Sequence, residues 1–320
     1  MSTDFSLYEG QGQVGALFGM HLLDIIDEHP ELRILTADMS YIAKLERFKA
    51  YYPDQFINMG IAEQNMIGVA AGLSSEGLKC VCLAQATFIT MRCFEQVRQY
   101  MSYMGSPIIL IGLAAGFGLQ FMGNTHYSIE DIGLMKNIPG MVVMSPADAS
   151  EAVMAFDEAL KINRPTYIRL TGDNSTPLTY LSDFGYSFNK ANVVKEGEDI
   201  VIFATGALLA KTIDAAQMVE SAIHKSVRVA DVHTISPLDS KAIDAAKNAH
   251  LLVSVEEHNI NGGLGSSIAD YIGVVSDFPP LLKLGVRGYS QVGDYEFLLQ
   301  QHRLTPGMIA EDIINRYNTL

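Results

Sequence analysis

Basic residues are scarce in this 320-residue chain: 22 lysines and arginines stand against 36 aspartates and glutamates, and no Lys/Arg run breaks the pattern. Nucleic acid and anionic membrane are therefore poor partners for it. An anionic ligand would have to be held locally, by helix N-termini, a metal or a second chain. No apolar run reaches the ~18 residues of a membrane helix. The start, "MSTDFSLYEGQGQVG", lacks the basic head and apolar core of a secretion signal. Cysteines are only three, Cys80, Cys82 and Cys93, an odd number with two alternating in a strand-like run. Reduced thiols in a cytoplasmic protein fit that count best, and no Cys/His grouping at short spacing offers a metal site. Charged residues make up only 18% against 48% hydrophobic, which argues against disorder and allows a large core. The length suits two domains.

What is present is alternation. Strand-like runs "RILTAD", "KCVCLAQA", "PIILIGLAA", "GMVVMSP" and "PTYIRLTG" are separated by helical patterns over 62–75, 91–103 and 147–161. A second series follows: "DIVIFATG", "VRVADVHT", "HLLVSVEEH" and "PLLKLGV", again with helices between. Short apolar strands alternating with helices predict parallel sheets covered on both faces. The fold class is therefore α/β with two parallel-sheet domains. The turn-rich stretch from Thr171 to Lys190 connects them, which sets a first domain at 1–175, a linker at 176–195 and a second domain at 196–320.

Four places carry candidate chemistry. "EGQGQVG" fits G-x-G-x-x-G at Gly10, Gly12 and Gly15, but no good strand precedes it, so it reads as a turn into the helix "ALFGMHLLDIID". "EEHNINGGLGSS", Glu256 to Ser267, follows a strand and opens a helix. Its backbone N–H groups could meet an anion or a partner's carboxylate, or the glycines could serve only close packing. His126, in "GNTHYSIED", sits in a loop after a strand, where α/β proteins bind ligands, although a solitary histidine is more often an ordinary hydrogen-bonded residue. Glu63 opens the apolar stretch "EQNMIGVAAGL". It is either a carboxylate at a helix start or a carboxyl in a dry interface with a raised pKa, suited to holding a proton.

Taken together, "INMGIAEQNMIGVAAGL", "ATFITMRCFEQVRQ", "GNTHYSIEDIGLMKNIPGMVVMSPAD" and "VADVHTISPLDSKAI…VSVEEHNINGGLGSSIA" resemble the carboxy-terminal half of transketolases and of 1-deoxy-D-xylulose-5-phosphate synthases. The resemblance covers nearly the whole chain, in order. It implies a thiamine diphosphate pyrimidine-binding domain followed by a transketolase C-terminal-like domain. The family's diphosphate and metal signature, Gly-Asp-Gly with a later asparagine, is missing; Gly172-Asp173-Asn174 and Gly293-Asp294-Tyr295 come nearest. The resemblance thus implies one subunit of a split transketolase, an α2β2 heterotetramer whose N-terminal partner holds the diphosphate with Mg2+ or Ca2+. It implies that Glu63 hydrogen-bonds the cofactor's aminopyrimidine ring and that Phe88 stacks on it. It puts Asp38 near the thiazolium, Ile61 and Arg92 at the cofactor, and His126 at substrate oxygens as a second catalytic group. None of these residues is expected to bind the metal.

Departures from the family pattern bear on substrate. Where transketolases read "GEDGPTH" this chain reads "LQFMGNTH", so Met122 replaces an aspartate and Asn124 a proline. Ala114 aligns with an upstream histidine, and Gly172 with a phosphate-gripping arginine. Pentose phosphates become doubtful substrates unless the partner chain or Arg169 compensates. Two other readings stand beside transfer of a two-carbon ketol or acyl unit to an aldehyde. One is the β subunit of a 2-oxo-acid dehydrogenase, or a deoxyxylulose-phosphate-synthase-like carboligase; the other is a non-catalytic subunit. Retention of Glu63, Phe88, Asp38 and His126 together argues against the last.

Overall fold

The computed structural model describes residues 4–172, 174–182 and 184–320. Twelve strands are formed among the described residues: β1 Leu32–Thr36, β2 Phe56–Asn58, β3 Lys79–Gln85, β4 Ile109–Leu113, β5 Val142–Met144, β6 Thr166–Arg169, β7 Asn192–Lys195, β8 Ile200–Ala204, β9 Val227–Asp231, β10 Thr234–Ser236, β11 Leu251–Asn259 and β12 Leu281–Val286. They build a seven-stranded sheet in the order β10-β5-β6-β4-β3-β1-β2 and a five-stranded sheet in the order β12-β11-β8-β9-β7. Every pairing of these strands is parallel except β10 with β5 and β7 with β9, both at edges.

The parallel strands are buried on both faces, which is why they read as unbroken apolar runs rather than alternating ones. One face of the first sheet packs Leu17, Phe18 and Leu22 of the N-terminal helical segment with Phe156 of the helix Ala149–Ile162. The other packs Met66, Ile67 and Ala70 of the helix Glu63–Ser75 with Val97 and Met101.

Three features differ from the sequence reading. "VRVADVHT" is not one strand: β9 ends at Asp231, and the chain crosses to the first sheet, where β10 pairs with β5. The helix expected over 91–103 begins earlier, as wide π-type turns Phe88–Arg92 and Val97–Tyr103 flanking a short α-helical turn, Phe94–Gln96. The stretch read as apolar after Glu63 is buried on one side only; Gln64, Asn65, Gly72 and Ser75 form an open side of the helix Glu63–Ser75. The glycine pattern at 10–15 opens a helical segment at Gly12 after a single 3-10 turn, Phe5–Tyr8, with no strand before it among the described residues.

The two sheets are locked together by buried polar groups. Arg169, at the end of β6, donates through Nε to Asp131 Oδ2 (2.8 Å) and through Nη2 to the carbonyls of Ser128 (3.2 Å) and Glu257 (2.8 Å). Tyr167 donates to the same Asp131 oxygen at 2.7 Å. On the other side of the seam Glu151 and Asp231 hydrogen-bond each other, and Tyr180 donates to Asp231 at 2.7 Å. Burial pushes the Asp231 carboxyl up to about 7 and the Glu151 carboxyl well above its ordinary value, so the pair shares a proton near neutrality.

Candidate active site

All candidate residues lie past the carboxyl ends of four strands adjacent in the first sheet, in the order β4-β3-β1-β2. That end of a parallel sheet is where loops converge and ligands bind in open α/β folds. Asp38 follows β1, Ile61 and Glu63 follow β2, Phe88 and Arg92 follow β3, and His126 follows β4.

Four of them form a continuous chain of contacts. Glu63, only 3% exposed, is the first residue of its helix, after Ala62, whose side chain makes no cap. Its two carboxylate oxygens each accept from Arg92 Nη1 at 2.8 Å. The Arg92 guanidinium carbon lies 4.1 Å from the centre of the Phe88 ring, a cation–π contact. Residues four apart on one helical run share a face, so the sequence Phe88-Ile-Thr-Met-Arg92 brings ring and guanidinium together. Phe88 in turn meets the His126 ring edge-on, with centroids 5.4 Å apart. Beneath them Cys93 donates to the Ile89 carbonyl at 2.7 Å. Burial, then the Glu63 charge, pushes its thiol up to about 12, too high for a nucleophile.

Asp38 and Ile61 form a separate group. Asp38 sits exposed in the left-handed region (φ 58°). Asn58 Oδ1 accepts from the backbone N–H of Asp38 (3.1 Å) and of Gly60 (3.0 Å), while Asn58 Nδ2 donates to Asp38 Oδ1 (3.2 Å). Asn58 therefore fixes the Asp38 turn to the turn carrying Ile61, whose side chain is open to solvent.

The His126 loop is held at its neck, middle and tip. Gly116 and Ser128 exchange backbone hydrogen bonds at 2.9 and 3.0 Å, closing the neck. Gly116 has φ +62°, and a Cβ there would collide with Glu257, which reaches across from β11 to accept from Phe117 N–H at 2.6 Å. The His126 carbonyl accepts from both Gln85 Nε2 and Thr87 Oγ1. At the tip Asn124 donates to the Ser290 carbonyl (2.8 Å) and accepts from its N–H (3.0 Å). Asn124 is thus a second-domain tether that a proline could not make. Thr125 Oγ1 lies 2.9 Å from His126 Nδ1. Sequence reasoning missed Asn58, Gln85 and Thr87. The one available signal was a polar side chain at the carboxyl end of an apolar strand, as in "CVCLAQ".

The departures have structural counterparts. Phe121 and Met122 stand 68% and 56% exposed on the loop, and Val292 packs near Gly123, so this rim is apolar. Ala114 adopts φ 50°. Gly172 has φ +74°, and a Cβ there would meet Thr176 Oγ1 at 2.4 Å, so the backbone has no room for an arginine at that point. Arg169 cannot replace it: it is 1% exposed and spent on Asp131 and two carbonyls. The glycine-rich turn after β11 takes a carboxyl group from within the chain. Glu256 accepts from the N–H groups of Leu264 (2.7 Å) and Gly265 (2.8 Å) at the start of the helix Leu264–Val274.

A buried carboxylate beside an aromatic face suits a flat ring with an N–H or protonated nitrogen at its edge, and Arg92 already satisfies both contacts with such a group. The donor set therefore fits the aminopyrimidine half of thiamine diphosphate. Fold and site define one half of a thiamine diphosphate-type α/β enzyme. The chain belongs to the transketolase family: residues 12–176 match the transketolase pyrimidine-binding domain, and residues 189–285 the transketolase C-terminal domain.

It is 32% identical over 303 residues to the 6-deoxy-6-sulfo-D-fructose transketolase subunit of Clostridium sp. (strain MSTE9), covering 93% of each chain. It is 33% identical over 285 residues to an apulose-4-phosphate transketolase subunit of Actinobacillus succinogenes, covering 88% of this chain and 89% of that one. Among solved structures it is similar to a split-gene transketolase described as an inactive β4 tetramer, with TM-score 0.87, 32% identity, and coverage of 96% and 98%. The chain is accordingly a subunit of a transketolase-like, thiamine diphosphate-dependent transferase. No helix among the described residues is long and apolar enough to cross a membrane.

Proposed function

We propose that this chain is the pyrimidine-side subunit of a two-chain transketolase, cytoplasmic and assembled as α2β2, with domains at 1–175 and 196–320 joined by 176–195, whose last residues form β7 at the edge of the second sheet. The observation that carries this reading is the contact chain Glu63–Arg92–Phe88–His126 at the carboxyl ends of β2, β3 and β4. Glu63, Phe88, Asp38, Ile61 and Arg92 line the cofactor, and Glu63 and His126 are the catalytic groups. The partner subunit holds the diphosphate and its Mg2+ or Ca2+. When bound, thiamine diphosphate supplies the carbon nucleophile and electron sink for breaking a bond next to a carbonyl. Glu63 holds a proton at the ring nitrogen from a buried position, Phe88 sets the plane of the ring, and His126 exchanges a proton with substrate oxygens. The tethers on the His126 loop keep that imidazole in place between turnovers.

Substrate is set at the rim. Two relatives of similar identity act on differently substituted sugars, so family membership alone fixes neither donor nor acceptor. The apolar Phe121 and Met122, and the absence of room for an arginine at Gly172, favour a substrate other than the ordinary pentose phosphates. Ketol or acyl transfer to an aldehyde is the reaction, with pyruvate a suitable donor because it has no hydroxyl beside its carbonyl.

Reconstitution with the co-purifying chain tests this. The isolated chain should bind thiamine diphosphate weakly by calorimetry, and the complex tightly and with metal dependence. The complex should use xylulose 5-phosphate and ribose 5-phosphate poorly; a kcat/KM of about 10⁴ M⁻¹s⁻¹ or more with that pair would overturn the substrate reading.

A further inference from the structure

We propose that Arg92 is a built-in occupant of the aminopyrimidine seat, an autoinhibitory contact that keeps this half-site closed until the ring displaces it. The inference rests on the assignment of Glu63 and Phe88 above and goes beyond it. A guanidinium is planar, cationic and edged with N–H donors, and it stacks on aromatic faces. Arg92 places its guanidinium carbon 4.1 Å from the centre of the Phe88 ring and gives Nη1 to both oxygens of Glu63. Those are the two contacts the seat offers a flat heterocycle, one to its face and one to its edge. Only one flat group can lie on that side of Phe88 and reach Glu63.

Two further observations show why the occupant is there and why it can leave. Glu63 is 3% exposed, and a buried carboxylate without a partner is costly; before a ring arrives, Arg92 supplies the partner. Yet Arg92 is itself 42% exposed, and Glu63 is its only hydrogen-bond acceptor among the described residues. The exit is open, and only the Glu63 ion pair and the Phe88 face must be given up. Ring entry is then an exchange of one partner of Glu63 for another, so the charge is not left bare. The apparent affinity for the ring is lowered by the fraction of chains in which the seat is open.

The test uses the full chain without its partner and the pyrimidine half of the cofactor, 4-amino-5-hydroxymethyl-2-methylpyrimidine, so that the diphosphate site plays no part. Calorimetry should show Arg92→Ala binding this compound at least about 10-fold more tightly than the wild type. Arg92→Lys keeps the charge without the plane and should fall between the two; it also serves if Arg92→Ala folds poorly. Methylguanidinium chloride, against sodium chloride at equal ionic strength, should raise the melting temperature of Arg92→Ala but not of the wild type, and should compete with the pyrimidine. Equal pyrimidine affinity in all three chains, or no effect of methylguanidinium on Arg92→Ala, would overturn the proposal while leaving the seat assigned. If none of the three binds the pyrimidine, the assignment of Glu63 and Phe88 fails and the proposal falls with it.

Discussion

Arg169 and Arg92 each donate to a buried carboxylate, Asp131 and Glu63, and there the likeness stops. Around Arg169 both partners are buried: its side chain is 1% exposed, Asp131 0%, and Nη2 finds the carbonyls of Ser128 and Glu257. Around Arg92 one partner is buried and the other is 42% exposed, and the second contact is the face of Phe88. Removing one member of a buried pair leaves an uncompensated charge that water does not reach. A half-exposed pair has solvent to fall back on. The first arrangement therefore fastens β6, the segment behind His126 and β11 into one body. The second can exchange partners, and the chemistry belongs with it.

Breaking the closed pair should have the largest effect. Arg169→Met should destabilise the chain by about 3–5 kcal/mol, read as a lower urea midpoint; a loss below about 1 kcal/mol would mean the seam does not depend on it. At the open pair the expected effect is on turnover instead. Glu63→Gln keeps the shape of the side chain but cannot hold the proton in the same way, and should lower kcat of the assembled complex by about 10²-fold or more with the urea midpoint little changed. Near-normal turnover would remove Glu63 from the reaction.

The shared-proton pair Glu151–Asp231 sharpens the contrast through pH. Both carboxyls titrate higher in the fold than their ordinary values, so the stability they contribute is present below about pH 4 and is lost as pH rises through about 7. Asp148, Tyr180 and Tyr186 face the same pair, and burial holds His233 down at about 4, an opposing trend. The difference between Glu151→Gln and the wild type cancels those neighbours. Glutamine still donates to Asp231 but does not titrate, so the variant's relative urea midpoint should climb from about pH 5 to about pH 8. A gap that stays flat with pH would show that Glu151 holds no proton there. The smallest effect is expected for Arg92→Ala on folding, on the order of 1 kcal/mol once solvent screening of the exposed guanidinium is allowed for. A loss as large as that of Arg169→Met would erase the distinction between the two arginines.

Nine strand-like runs and the α/β class were legible because parallel strands buried on both faces leave continuous apolar stretches. The edge strands were not. "FIN" of β2 and "NVVK" of β7 are short and half-exposed, and nothing in a three- or four-residue run distinguishes them from loop. Nor does periodicity say which sheet a strand joins, so β9 and β10 read as one. At the site the members were legible through their motifs, but the pairings were not. The identity of Glu63 does not disclose that Arg92 covers it, and the start of a wide-turned helix cannot be placed by counting in steps of 3.6 residues. Arg169 looked like a spare cation for a phosphate. Its side-chain type gave no hint of the three acceptors waiting inside the seam.

The crossing of β10 has a consequence for the order of folding. Six strands of the first sheet are complete once Arg169 has been made, but the edge at β5 has no partner until Thr234–Ser236 arrive from beyond β9. Throughout the synthesis of the intervening stretch, Val143 and Met144 present unpaired backbone groups at a buried, apolar position, the kind of edge that recruits strands from other molecules. The second sheet, by contrast, starts only at β7 and must carry its chain through β9 before that edge can be sealed. The first domain is thus the earlier to begin, yet it is finished only after β7, β8 and β9 of the second have been made, and the long-range β5–β10 pairing is a step of the kind that slows folding.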